Sequence, residues 1–380
     1  MHCYEFPPIG GGGSRVVDGL SRDLVRAGHD VDVVTTRFRG SPRRETIDGV
    51  NVHRVDCIRI KQHLCTLPEA ATYLFASMSK ILELVGRRSY DLNHCHFILP
   101  DGFNARRLKE ATGLPYIVTA HGSDVPGYNP HRVRVMHRLL EPLWRSIARE
   151  ASAVVCPSRS LQALVGKADP ELDTVLIPYG FDISRYRAEE PRAKRILVVT
   201  RMLRRKGVQY LLHAMRGLPL QHELHLVGDG PYLPVLRRLA RGIRVPVIFH
   251  GWLDNRSEKL TRLFESSDIF VLPSERENFP VALMEAMAAG LAIVTTRGTG
   301  CSEVVGEAGI LIEPHDTAGL QAALESLVDD PIRARKLGQA ARARLENEFS
   351  WPAVTDRYLD LYARCQLAPT ARVSVTPAVK

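Results

Sequence analysis

DIFVLPSERENFPVALMEAMAAGLAIVTT (residues 268–296) holds a complete strand–loop–helix–strand unit. DIFVLPS and LAIVTT are short, β-branched and almost wholly apolar, as strands buried on both faces of a parallel sheet must be. The segment between them reads as a helix with Pro280 at its first position, and the small residues of MEAMAAG let it pack tightly on the sheet. Glu277 stands in the loop and Glu285 one turn into the helix, so two carboxylates reach the crevice beyond the strand ends from different depths. Such sheets bind their ligands there, and a carboxylate suits hydroxyl-rich ligands because it accepts from two hydroxyls at once. A surface helix with incidental glutamates is the plainer alternative.

The same alternation of β-branched runs and 3.6-period segments extends outward in both directions, six strands to each half, and predicts an α/β protein with parallel sheets covered by helices. Strands are expected within 29–36, 50–56, 91–97, 115–121, 153–158 and 174–180, then within 195–200, 222–228, 245–251, 268–274, 291–296 and 309–314. FDISRYRAEEPRAKR (181–195) is polar, apolar-poor and carries Pro191, the composition of a linker. The boundary is placed near 188, giving domains 1–188 and 189–350. The periodic segment 351–365 follows an already complete second series and is expected to cross back and complete the first domain. Residues 366–380 read as a frayed tail.

The chain of 380 residues is 45% apolar and 24% charged, ordinary for a folded globular protein. Its net charge of +9 divides into +5 for residues 1–188 and +4 for the rest, with no basic block, so a nucleic-acid footprint is not expected. Seven cysteines without a C-x-x-C pair fit reduced thiols. No apolar run approaches the ~18 residues that span a bilayer, and MHCYEFPPIGGGGS lacks the basic start and apolar stretch of a signal peptide. A cytoplasmic protein is expected. The basic helix 131–150 carries Val133, Met136, Leu140, Leu143, Trp144 and Ile147 along one side, a stripe for core packing or, as the minor alternative, peripheral contact with a membrane surface.

Three further motifs sit at strand ends. Gly10–Gly13 precede an amphipathic helix, where glycines allow close backbone approach and free amides meet an anion; on its residues alone the loop reads as well as a flexible turn. The loop is no Walker motif, since no Gly-Lys-Ser/Thr follows, and no dinucleotide fingerprint, since Arg15 stands where the last glycine is needed. TRMLRRKG (200–207) sets Arg201 and Lys206 five residues apart at a turn, able to converge on a diphosphate or to form a solvated basic turn. In AHGSD (120–124), His121 can exchange a proton near neutral pH or simply cap its strand. His94 and His96 point to one face but have no third metal ligand at sensible spacing. Asp30 and Asp32 imitate a D-x-D metal site from within an early strand and are set aside, so no metal is assigned.

Together, GGGGS, AHGSD, IPYGFD (177–182), TRMLRRKG, VGDGP (227–231), ENFPVALMEAMAAG, GCSEVVGEAGILIEPHD (300–316) and FSWPAVTDRYLDLY resemble the retaining glycosyltransferases of family 4, over nearly the whole chain. The resemblance implies the GT-B architecture of two facing Rossmann-like domains, an acceptor-side one first and a nucleotide-sugar donor domain second. It implies that Arg201 and Lys206 hold the donor diphosphate with the amides of Gly12 and Gly13. Glu277 would bind the donor sugar with the amides of Asn278 and Phe279, Glu285 would bind the ribose, and His121 would lie beside the transferring sugar. HGWLD (250–254) corresponds to the region that touches the base.

The activity implied is metal-independent, cofactor-free, retaining hexosyl transfer from a nucleoside-diphosphate sugar to a hydroxyl of a glycan, glycolipid or small molecule. A GT-B nucleotide-sugar epimerase and a non-catalytic nucleotide-sugar-binding protein are the alternatives. Pro280 departs from the glycine of many relatives. The strand before the glycine loop has only about six residues, so the natural protein is expected to begin upstream of Met1 with an apolar run.

Overall fold

A computed structural model describes residues 1–61, 65–128, 130–188, 193–218, 221–254 and 257–367, with side chains of the helix Pro130–Glu150 described from Arg138 onward. The chain forms two units, Met1–Gly180 with the segment from Trp351 onward, and Phe181–Ser350.

In the first unit the strands are β1 (Asp32–Thr36), β2 (Arg44–Ile47), β3 (Val50–Val55), β4 (Asn93–His96), β5 (Tyr116–Thr119), β6 (Ala153–Cys156) and β7 (Thr174–Leu176). They pair as β1-β3-β2 and β4-β5-β6-β7. His2 bridges Val34 of β1 and Cys95 of β4, both in parallel, so the start of the chain fills the slot between the two groups. The glycine loop leaves this central position. Strand β2, absent from the sequence expectation, pairs antiparallel with β3 through a tight turn at Asp48 and Gly49, whose φ angles are 49° and 86°. Two successive positive φ values are what a type I′ hairpin requires.

The second unit has β8 (Arg195–Val199), β9 (Glu223–Val227), β10 (Val247–Gly251), β11 (Ile269–Leu272), β12 (Ala292–Thr296) and β13 (Ile310–Ile312). Their order, β10-β9-β8-β11-β12-β13, is the doubly wound arrangement, all parallel. Its topological switch point lies between β8 and β11. Ile196, Val198, Leu224, Leu226, Val271 and Val294 are buried at its core, as continuous apolar strands demand.

The expected linker is partly structure. Phe181 N donates to Phe349 O (2.8 Å), Phe181 stacks on Tyr186 (6.0 Å), and Tyr186 is 2% exposed. The second unit therefore starts at Phe181 and not near 188, because two aromatic anchors outweigh the polar composition around them. The closing helix Trp351–Leu367 groups with the first unit: Trp351 lies where side chains at Gly19 and Gly180 would stand, 2.0 and 2.2 Å from the added Cβ. Beyond Leu367 the expected tail lies outside the described residues. On the helix Pro130–Glu150, Trp144 and Ile147 are core, whereas Leu139 is exposed. Val133 and Met136 belong to its undescribed side chains. Among the described residues no helix is long and apolar enough to cross a membrane.

Candidate active site

Adjacent parallel strands deliver the two charges of the donor-side candidate. Lys206 follows β8 and Glu277 follows β11, the pair flanking the switch point, and Lys206 Nζ forms a salt bridge to Glu277 Oε1 with both side chains about nine-tenths buried (11% and 10% exposed). The loops that carry them are locked to each other. Glu275 N donates to Arg205 O (2.9 Å), and Gly300 N donates to Glu277 O (3.0 Å). A Cβ at Gly300 would fall 1.5 Å from Asn278 O, so only glycine lets the helix Gly300–Val305 buttress this loop.

Gly207 has φ 73° and its absent Cβ would meet Pro273 O at 1.8 Å. Behind the Arg201 turn, Gly228 and Gly230 press on Thr200 O and Met202 O in the same way (1.9 and 2.4 Å). The glycines of VGDGP thus support the Arg201 turn. Arg201 is exposed on that turn.

Asn278 and Phe279 are both 6% exposed. The following helix, Val281–Ala288, starts one residue later than expected, with Pro280 as its cap at ψ 114°. It is no surface helix: Leu283 through Ala288 are all buried, Glu285 included. Glu285 Oε1 accepts from the Tyr186 hydroxyl at 3.1 Å. Tyr186 O in turn accepts from Arg342 (3.1 Å), whose guanidinium also meets Ala288 O at the end of that helix.

The first unit brings the glycine loop and His121 together. A Cβ at Gly13 would stand 2.9 Å from Phe97 Cζ and 3.3 Å from His121 Nδ1. Gly12 and Gly13 open the helix Gly12–Arg26, so their amides have no intrahelical acceptors. The preceding amide, Gly11 N, donates to Glu5 Oε2 at 3.3 Å, and burial raises the Glu5 carboxyl above its usual range. Phe97 holds φ 77°, a left-handed backbone rare outside glycine, and its ring lies 4.4 Å from that of His121.

Burial lowers His121 to about 3, and its ring nitrogens are engaged by the Tyr179 hydroxyl (2.8 Å) and His96 Nδ1 (3.1 Å). Of the two readings of His121, proton exchange near neutral pH and a cap on its strand, burial favours the neutral, structural ring. Asp124, missed at the sequence level, orders the turn by accepting from Ile98 N (2.7 Å), His121 N (3.0 Å) and Gly122 N (2.9 Å).

Asp32 is committed to His53 Nε2 (2.7 Å), Tyr90 OH (3.0 Å) and Arg88 (3.1 Å), while Asp30 is 90% exposed. Among the described residues, no three His, Cys, Asp or Glu side chains cluster to hold a metal.

Residues 10–185 match the model described as Glycosyltransferase Family 4, and residues 193–330 match that described as Glycosyl transferases group 1. The chain belongs to glycosyltransferase family 4. A glycosyltransferase of Methanocaldococcus jannaschii is 29% identical, covering 95% of this chain and 97% of its own. The N-acetyl-alpha-D-glucosaminyl L-malate synthase of Bacillus anthracis is 26% identical, covering 95% of each chain. Glycogen synthase of Mycobacterium tuberculosis is 29% identical over 95% and 93%.

Among solved structures, sucrose-phosphate synthase from Thermosynechococcus elongatus superimposes with a TM-score of 0.77 at 24% identity, covering 94% of each chain. Anabaena HepE in complex with UDP and glucose gives 0.73 at 17%, covering 95% and 98%. These likenesses establish the GT-B fold of two Rossmann-like halves for this family 4 enzyme.

In HGWLD, His250 is occupied by its neighbour His225, whose Nδ1 lies 3.0 Å from His250 Nε2 with the rings stacked at 5.1 Å. Trp252 is 67% exposed. The sequence signal that could have found Tyr186 and Tyr179 was an aromatic in an otherwise polar segment and in IPYGFD.

Proposed function

We propose that this family 4 glycosyltransferase moves a hexosyl group from a nucleoside-diphosphate sugar to an acceptor hydroxyl of a glycan, glycolipid or small molecule, keeping the anomeric configuration and using no metal. The observation that carries the reading is the Lys206–Glu277 pair at the switch point of the second unit. A buried cation beside a buried carboxylate suits a ligand that is phosphate at one end and polyhydroxylated at the other.

Lys206 and Arg201 are assigned to the diphosphate with the amides of Gly12 and Gly13. Glu277, with the amides of Asn278 and Phe279, is assigned to the donor sugar, Glu285 to the ribose, and the exposed indole of Trp252 to the base. HepE, of the same fold, was solved with UDP and glucose, in keeping with a nucleotide-sugar donor.

When the sugar C1–oxygen bond to the phosphate breaks, negative charge grows on the departing diphosphate, and fixed cations there lower the barrier. The acceptor oxygen bonds to C1 on the face the phosphate leaves, and the acceptor proton passes to a phosphate oxygen. His121, neutral and hydrogen-bonded at both ring nitrogens, is not available to take that proton; its role is to border the transferring sugar.

Thermal-shift measurement against uridine, guanosine and adenosine diphosphates tests the reading. The matching nucleotide at a hundred times its dissociation constant adds about 2.7 kcal/mol of stability. No response to any of the three would remove the donor assignment. Release of free sugar with the nucleotide would instead indicate an epimerase, and binding without turnover a non-catalytic protein.

A further inference from the structure

A row of imidazoles runs along β4 to the loop after β5 in the first unit. His94 and His96 are alternate residues of β4, so their side chains leave the same face, and their rings stack with centroids 4.4 Å apart. His96 Nδ1 faces His121 Nε2 at 3.1 Å, and His121 Nδ1 faces the Tyr179 hydroxyl at 2.8 Å. His94 is closed off by two hydroxyls, Tyr362 on Nδ1 (2.6 Å) and Thr119 on Nε2 (2.8 Å). His96 is fully buried, and its Nε2 has no hydrogen-bond partner among the described residues.

That orphan atom gives the row a direction. A neutral imidazole carries one N–H and one lone pair. A proton on His96 Nε2 would bury an unsatisfied donor, whereas a proton on Nδ1 leaves only an unfilled lone pair there, the more readily tolerated of the two. His96 then donates through Nδ1. His121 Nε2 must accept, so the His121 proton sits on Nδ1 and is donated to the Tyr179 oxygen.

We propose that His96 is a positioning residue for transfer, fixing His121 as its Nδ1–H tautomer and holding the ring plane against Phe97 and the glycine loop. This rests on the assignment of His121 to the border of the transferring sugar. Neither Tyr179 nor Phe97 can do this alone. A hydroxyl is donor or acceptor by rotation, so Tyr179 accepts either tautomer, and the Phe97 ring has no hydrogen-bonding atom.

The test uses the full-length protein labelled with ¹⁵N. Long-range proton–nitrogen correlation is expected to show His121 protonated at Nδ1, and His96→Leu is expected to abolish the preference. Turnover of His96→Leu should fall about tenfold to a hundredfold, as small misplacements do, with the donor KM within about twofold. Because leucine at this buried position can impair folding, His96→Asn and His96→Gln give a second comparison. Asparagine sets an amide near the Nδ1 position and restores most of the turnover, while glutamine, whose amide reaches the Nε2 position, does not.

A wild-type His121 protonated at Nε2 overturns the proposal, as does glutamine outperforming asparagine. His121→Phe separates the two claims. Full activity in that variant removes His121 from the sugar's border while leaving the tautomer result standing.

Discussion

Lys206 and Glu277, 71 residues apart in the chain, form a salt bridge because β8 and β11 are neighbours at the switch point of the second sheet. Lys206→Ala is expected to lower turnover by about 10²–10³, the usual loss for one preorganised transition-state donor, and Arg201→Ala to do the same. Steady-state kinetics checks this; wild-type rates in both variants would end the phosphate-clamp assignment.

Glu277→Gln should cost more turnover than Glu285→Gln, because the first carboxylate is assigned to the transferring sugar and the second only to the nucleotide. Tyr186→Phe removes the hydroxyl on Glu285 and should raise the donor KM while sparing kcat. A kcat loss in Tyr186→Phe equal to that of Glu277→Gln would contradict the division of labour.

The first unit should lose stability as the solution is acidified. His2 and His121 are lowered by burial to about 3, and His94 and His96 lie well below their usual value. Between pH 6.5 and those folded values the unfolded chain binds more protons than the native one. Each such group therefore removes ~1.4 kcal/mol of stability per pH unit as pH falls through that window. Asp124, raised by burial to about 6, acts in the opposite sense between its ordinary value and 6, as do the raised carboxyls of Glu5 and Asp101, whereas the Met1 amino group, lowered by burial to about 6, acts with the histidines, leaving five groups against three. Urea unfolding at pH 7.5 and 5.5 measures the difference, and equal stability at both would contradict the buried neutral row.

Asp124→Asn replaces a carboxylate that accepts from three backbone amides by a group that must turn an N–H toward one side of them. The expected cost is about 1–3 kcal/mol, read from the shift in unfolding midpoint. An unchanged midpoint would show that the His121 turn holds itself.

All twelve strands that the sequence suggested exist, because a β-branched apolar run has few other uses in a folded chain. Strand β2 escaped notice because RETI is charged and edge-exposed; its signal was the Asp48–Gly49 turn. The slot strand at His2 shows no periodic pattern of its own and is expected only from the resemblance, as the short strand before the glycine loop. In the site, strand-end placement made Lys206 and Glu277 legible one by one. Their contact was not, since it depends on strand order, which no local pattern encodes. The choice between the two readings of His121 was not legible for a related reason: the protons a histidine can hold depend on burial and on His96 and Tyr179, brought to it by other segments of the chain.

The central claim, retaining transfer driven by a cation clamp on the donor diphosphate, is tested most directly by proton NMR of the first product formed from the donor that thermal shift identifies. The account predicts a glycoside with the donor's anomeric configuration, formed mole for mole with nucleoside diphosphate, and lost in Lys206→Ala. An inverted product, or a retained one that forms as fast without Lys206, would contradict it.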